Sequence, residues 1–178
     1  GGPAALQHVL TGLPAGFGAP ILVVQHITRG FTGSLVGWLE QACALRVKIG
    51  EQGEALRPGC VYFAPDDRHI GTGPRADIVL SDEAPIGGFR PSADHLFRSV
   101  ARAFGKAAVC VVLTGMGEDG VAGLREVRAA GGLILSQDEQ SSVVYGMPGA
   151  TVRAGLADQV LPLGAIAAAL QDITQPRG

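Results

Sequence analysis

Three residue groups in the chain have types suited to proton transfer. His26 closes the apolar run PILVVQH, and Glu118 and Asp119 lie inside the turn Gly115-Met116-Gly117-Glu118-Asp119-Gly120. A neutral imidazole within hydrogen-bond reach of an alcohol can take its proton, and a carboxylate behind the ring can fix its tautomer. Each group also has an ordinary explanation. An acid at a helix N-terminus stabilises the helix dipole by about 0.3–1 kcal/mol. A histidine at the end of a buried strand is often a hydrogen-bonded structural residue.

The same turn satisfies GxGxxG between a strand-like and a helix-like segment, with Asp138 where a ribose-binding acid would stand. Dinucleotide binding is therefore an alternative reading. Its physics is unfavourable, because Glu118 and Asp119 would repel the pyrophosphate that the helix N-terminus should receive. The glycine fingerprint also usually opens such a domain, whereas here it comes late in the chain.

Pairing His26 with the 115–120 turn demands elements that bring distant positions together. Pro3 followed by AALQHVL predicts a helix closing near Thr11-Gly12. Pro20 to His26 predicts a buried parallel strand with its histidine at the C-terminal end. Phe31 to Ala44 predicts a helix with Leu35, Trp38 and Leu39 on one face. Between Arg46 and Leu80 the short pieces RVKI, CVYFA, RHIG and DIVL, broken by Gly, Pro and Asp, suggest hairpins. Ser92 is a predicted N-cap for a helix carrying Leu96, Phe97, Val100 and Phe104 inward. Ala107 to Leu113 then predicts a strand, Val121 to Ala130 a helix and Gly132 to Leu135 another strand.

This alternation gives the fold class: α/β, a doubly wound, mostly parallel sheet flanked by helices, with a β-hairpin insertion or antiparallel edge. Sites in such sheets form outside the carboxyl ends of the strands. His26 and the glycine turn both fall there, so one crevice can hold them both.

Bulk properties narrow the classes. The 178 residues suit one domain, and 47% hydrophobic content supplies a core. A net charge of −2 without a Lys/Arg cluster leaves no footprint for nucleic acid. Cys43, Cys60 and Cys110 are odd in number and form no CxxC, which reads as reduced thiols in a cytoplasmic protein rather than a metal or redox site. No apolar stretch reaches the roughly 18 residues of a membrane span.

GGPAAL, PILVVQH followed by GFT, RPSADHLF, VVLTGMGEDG and QDEQSSVVYGMPGA occur in order along nearly the whole chain. In these strings the chain resembles the catalytic domain of the chemotaxis protein-glutamate methylesterases. The resemblance implies a serine esterase that hydrolyses glutamate γ-methyl esters on the cytoplasmic helices of chemoreceptors, releasing methanol, with some members also deamidating glutamine. It makes His26 the general base, Asp119 its orienting acid and the Met116 N–H an oxyanion donor, alongside N–H groups at the start of the Gly1-Gly2-Pro3 helix. The nucleophilic serine is expected two positions before Gly1, so residues 1–178 are read as a methylesterase catalytic domain truncated at its N-terminus. The family often carries a receiver domain and needs no metal or organic cofactor.

The serines present, Ser34, Ser81, Ser92, Ser99, Ser136, Ser141 and Ser142, fall at predicted caps, strand ends or loops. Ser141 and Ser142 are the substitutes if no serine precedes Gly1. Gly87, Gly88, Arg90 and Tyr145 to Pro148 can border the cleft but read equally well as turn geometry. A non-catalytic receptor-binding module of the same fold is the remaining alternative.

Overall fold

The computed structural model describes residues 1–175. Its first unit runs through α1 (Gly2–Thr11), β1 (Ile21–Val23), α2 (Thr32–Ala42), β2 (Arg46–Ile49) and β3 (Cys60–Phe63), with the three strands parallel in the order β1-β3-β2. A hairpin follows, β4 (His69–Thr72) antiparallel to β5 (Ile78–Ser81) with His69 opposite Ser81. The second unit is α3 (Ala93–Phe104), β6 (Val109–Val112), α4 (Val121–Ala129), β7 (Leu133–Gln137), α5 (Met147–Arg153), β8 (Gln159–Leu161) and α6 (Leu163–Thr174). Its strands are again parallel, in the order β6-β7-β8. Parallel strands flanked by helices, with one antiparallel pair, are the fold class that the βαβ alternation predicts.

The two parallel sheets share one apolar layer. Val23, Val61 and Val47 from the first sheet and Leu135 from the second pack with Leu6, Leu10, Leu35, Leu39 and Ile166 from α1, α2 and α6. A second cluster, Cys110, Val112, Ile134, Leu124 and Val127, lies under α4. A third seats α3 on the hairpin through Ile70, Ile78 and Leu96. Each fully buried aliphatic side chain contributes about 1.5–3 kcal/mol, so these layers hold the strand ends in fixed register.

The structure corrects three expectations. The strand predicted over 20–26 stops at Val23, leaving His26 in an irregular segment. Its pairing with β3 ends where the Ala64 N–H donates to Val23 O, because β3 itself ends at Phe63 and the chain turns at Asp66-Asp67. RVKI and CVYF do not form a hairpin but pair in parallel, since residues 50–59 form a crossover long enough to return the chain in the same direction. Trp38 is 46% exposed while Leu35, Val36 and Leu39 are buried, so the inward face of α2 lies one position away from the tryptophan.

Cys43, Cys60 and Cys110 are free thiols, and burial pushes the Cys110 thiol up to about 12. Among the described residues no helix is long and apolar enough to cross a membrane.

Candidate active site

Both residues singled out for proton transfer lie beyond the C-terminal ends of parallel strands, His26 after β1 and Asp119 after β6. Although 93 positions apart, His26 Nε2 and Asp119 Oδ2 are 2.7 Å from each other. Side-chain exposure is 23% for the histidine and 2% for the aspartate, so the carboxylate is sealed behind a ring that still reaches solvent. A carboxylate only accepts, so Nε2 carries the ring proton and donates it, which leaves the Nδ1 lone pair as the available base. The Phe89 ring stacks on His26 with centroids 4.2 Å apart and planes at 19°.

Asp119 sits at the N-terminus of α3. Oδ1 accepts from Ser92 Oγ at 2.7 Å, and Oδ2 accepts from the Ala93 N–H at 2.7 Å. The Asp94 N–H adds a longer contact to Oδ1 at 3.3 Å. Burial pushes the Asp119 carboxyl up, but hydrogen bonds from His26, Ser92 and the Ala93 N–H outweigh it and hold the group below the usual carboxylate range. The carboxylate is therefore a fixed negative charge behind the imidazole.

The start of α1 borders the same crevice. A Cβ at Gly2 would meet Gln25 Nε2 at 2.7 Å, and one at Gly1 would meet Val143 Cβ at 3.5 Å and Thr114 Cγ2 at 3.8 Å. Met116 stands at the tip of the turn with 75% exposure, and among the described residues its N–H has no hydrogen-bond acceptor. The turn is braced by the segment that contains Tyr145 to Pro148. Gly115 N–H donates to Val144 O, and Gly146 and Met147 N–H both donate to Gly115 O. A Cβ at Gly146 would lie 2.5 Å from Gly115 O, so that position requires glycine. On the other side a cleft of about 130 Å³ is lined by Gln25, Ile27, Arg29, Asp67 and Arg90 among others. Arg90 Nε donates to Asp67 Oδ1 at 3.0 Å, which places Arg90 at the cleft wall.

The glycine turn does not present a dinucleotide site. Where a pyrophosphate would meet the first turn of α4, the Gly123 N–H already donates to Asp94 Oδ1 at 2.7 Å. Asp138, placed for a ribose, instead receives Ser141 Oγ at 2.6 Å and the Ser141 N–H at 2.9 Å. Ser142 Oγ likewise donates to Asp138 O at 2.6 Å. Ser141 and Ser142 thus close a local turn and face away from nucleophile duty.

Reading the residues alone missed Phe89 and the second role of Ser92. Ser92 caps α3 as predicted, its Oγ accepting from the Asp94 N–H at 3.1 Å. Its hydroxyl proton goes to Asp119, a contact across 27 positions that no local pattern encodes. Phe89 carries no periodic signal because it sits in a turn between Ile86 and Phe89.

A parallel α/β fold with a histidine–carboxylate couple at its strand ends defines a class, the one that includes hydrolases working through a general-base histidine. Comparison specifies it further: the chain belongs to the CheB methylesterase family, whose model matches residues 1–170. A protein-glutamate methylesterase/protein-glutamine glutaminase from Myxococcus xanthus is 57% identical over 96% of the chain, and one from Rhizobium meliloti 48% identical over 99%. The chain spans 48% and 50% of those relatives, about half their length. The crystal structure of the Thermotoga maritima CheB methylesterase catalytic domain superposes with a TM-score of 0.93 at 38% identity, covering 97% of this chain and 93% of that one.

Proposed function

We propose that the chain is the catalytic domain of a serine-type esterase that hydrolyses glutamate γ-methyl esters on chemoreceptors and deamidates glutamine by the same route. The observation that carries this reading is the 2.7 Å His26–Asp119 pair, in which the carboxylate is held ionised and takes Nε2, leaving the Nδ1 lone pair as the base. The relatives, protein-glutamate methylesterases and protein-glutamine glutaminases, supply the substrate class.

The nucleophile in this reading is a serine two positions before Gly1, which the start of α1 would carry to the rim of the crevice. Its Oγ attacks the γ-carbonyl carbon while His26 Nδ1 takes the hydroxyl proton. The resulting oxyanion accepts from the N–H groups at the start of α1 and from Met116 N–H, each donor lowering the barrier by roughly 3–4 kcal/mol. The tetrahedral species collapses with loss of methanol, which leaves with the proton from the imidazolium. Water then attacks the acyl-enzyme, again giving its proton to His26, which passes it to the departing serine oxygen as the free glutamate is released. With a glutamine side chain, ammonia leaves in place of methanol. Asp119 keeps the Nε2–H tautomer and offsets the imidazolium charge. The protein acts in the cytoplasm, where chemoreceptor helices present these esters, and the half of its relatives' length that this chain does not span is assigned to a receiver domain.

Methanol release from methylated receptor, measured with the chain extended through the residues preceding Gly1, tests the assignment. His26→Ala is expected to lower turnover by at least about 10³-fold with the circular dichroism spectrum unchanged. Full activity in that variant would overturn the reading.

A further inference from the structure

Two buried polar side chains outside the His26–Asp119 pair lead to it. His69 and Ser92 both have 0% exposure, and a polar group so buried is costly unless its hydrogen bonds are made. His69, at the start of β4, has Nδ1 3.2 Å from Ser92 N and Nε2 3.1 Å from Ala84 O. A backbone N–H only donates and a carbonyl only accepts, so one tautomer alone satisfies both contacts: proton on Nε2, lone pair on Nδ1. The His95 ring stacks on His69 at 4.6 Å with planes at 13° and closes its face.

Ser92 is the next link. Helix capping needs only its lone pair, which the Asp94 N–H uses. The hydroxyl proton is surplus to the cap and is directed at Asp119 Oδ1, the oxygen that does not face His26. The N–H of a capping residue also lies outside the helix ladder and ordinarily meets water. Here it is buried and received by an imidazole from a different element. The hairpin that carries His69 is itself clamped to α3, because Ser99 Oγ accepts from the Thr72 N–H at 3.1 Å and a Cβ at Gly71 would lie 2.7 Å from the same oxygen.

We propose that Ser92 and His69 are positioning residues of the esterase: His69 anchors the Ser92 backbone, and the Ser92 hydroxyl orients the Asp119 carboxylate so that its other oxygen meets His26. The inference rests on the proposed roles of His26 and Asp119. It adds the β4–β5 hairpin to the structure that sets the imidazole.

The test uses the full-length protein, with kcat and KM from methanol release and the His26 Nε2–H proton resonance as a direct readout of the His26–Asp119 bond. Ser92→Ala removes both cap and donor. Ser92→Gly removes the donor but remains an acceptable cap, and Ser92→Thr keeps the hydroxyl. Both Ser92→Ala and Ser92→Gly should lower kcat roughly 10- to 100-fold with KM nearly unchanged and shift the His26 proton, while Ser92→Thr restores both. His69→Phe should lower kcat and shift the same proton, and His69→Asn, whose carbonyl can accept from the Ser92 N–H, should recover part of the loss. If Ser92→Gly folds, keeps the parent kcat and leaves the resonance in place, the proposal fails. A loss of thermal stability without these changes equally reduces Ser92 to a cap. Failure of the underlying reading is distinguishable, because His26→Ala and Asp119→Ala would then also be active.

Discussion

Helices α3 and α4 exchange carboxylates at their N-termini. Asp94, in the first turn of α3, accepts from the Gly123 N–H of α4, and Asp119, just before α4, accepts from the Ala93 N–H of α3. Both aspartates are 9% exposed and both lie against the positive end of a helix dipole. They differ in their side-chain partners. Among the described residues Asp119 accepts from the His26 ring and the Ser92 hydroxyl, whereas the Asp94 carboxylate accepts only from the Gly123 N–H. An aspartate at a helix N-terminus thus identifies a stable arrangement, and only a base across the crevice turns it into chemistry. The helices approach closely enough for this exchange because Gly123 has no side chain; a Cβ there would lie 2.8 Å from Asp94 O and 2.9 Å from Phe97 Cβ.

Breaking the functional half of the exchange should have the largest effect. Asp119→Asn keeps an acceptor for the α3 N–H groups but removes the charge behind the imidazole and permits the wrong tautomer, so methanol release should fall by about 10³- to 10⁴-fold while the fold persists by circular dichroism. The structural half should respond oppositely. Asp94→Ala leaves the buried Gly123 N–H without a partner and should lower stability by about 1–3 kcal/mol in urea melts, with kcat within a few-fold of the parent protein.

Acid separates the two more finely. The folded state holds the Asp119 carboxyl below its ordinary value near 3.8. Its contribution to stability is therefore complete above that value and is lost as pH falls through the lower folded value. Urea midpoints measured downward from pH 5 should fall with acidification in the parent protein and less steeply in Asp119→Asn. Equal slopes would mean that the hydrogen bonds on Asp119 do not favour its ionised form.

Much of the frame was legible from periodicity. The apolar runs at 20–26 and 107–113, the cap at Ser92 and the glycine turn all mark elements that local rules describe, because strand burial and helix capping act over a few neighbouring residues. Even there, the end of β3 at Phe63 set where β1 stops, and the 50–59 crossover turned an expected hairpin into a parallel pair. Phe89 and His69 carry no local signature at all, since their contacts join a turn and a hairpin to elements formed elsewhere.

By itself the sequence determined which residues have suitable chemistry and that His26 and Asp119 both belong at strand C-termini. The tertiary structure alone decided that Asp119 is clamped by α3 rather than by the helix it precedes, that Nδ1 is the imidazole atom left open, and that Ser92 and His69 stand behind the pair. The physical reason is that hydrogen-bond direction depends on where atoms from distant segments come to rest within a few tenths of an ångström, and the close packing of buried layers sets those positions, not the pattern of neighbours along the chain.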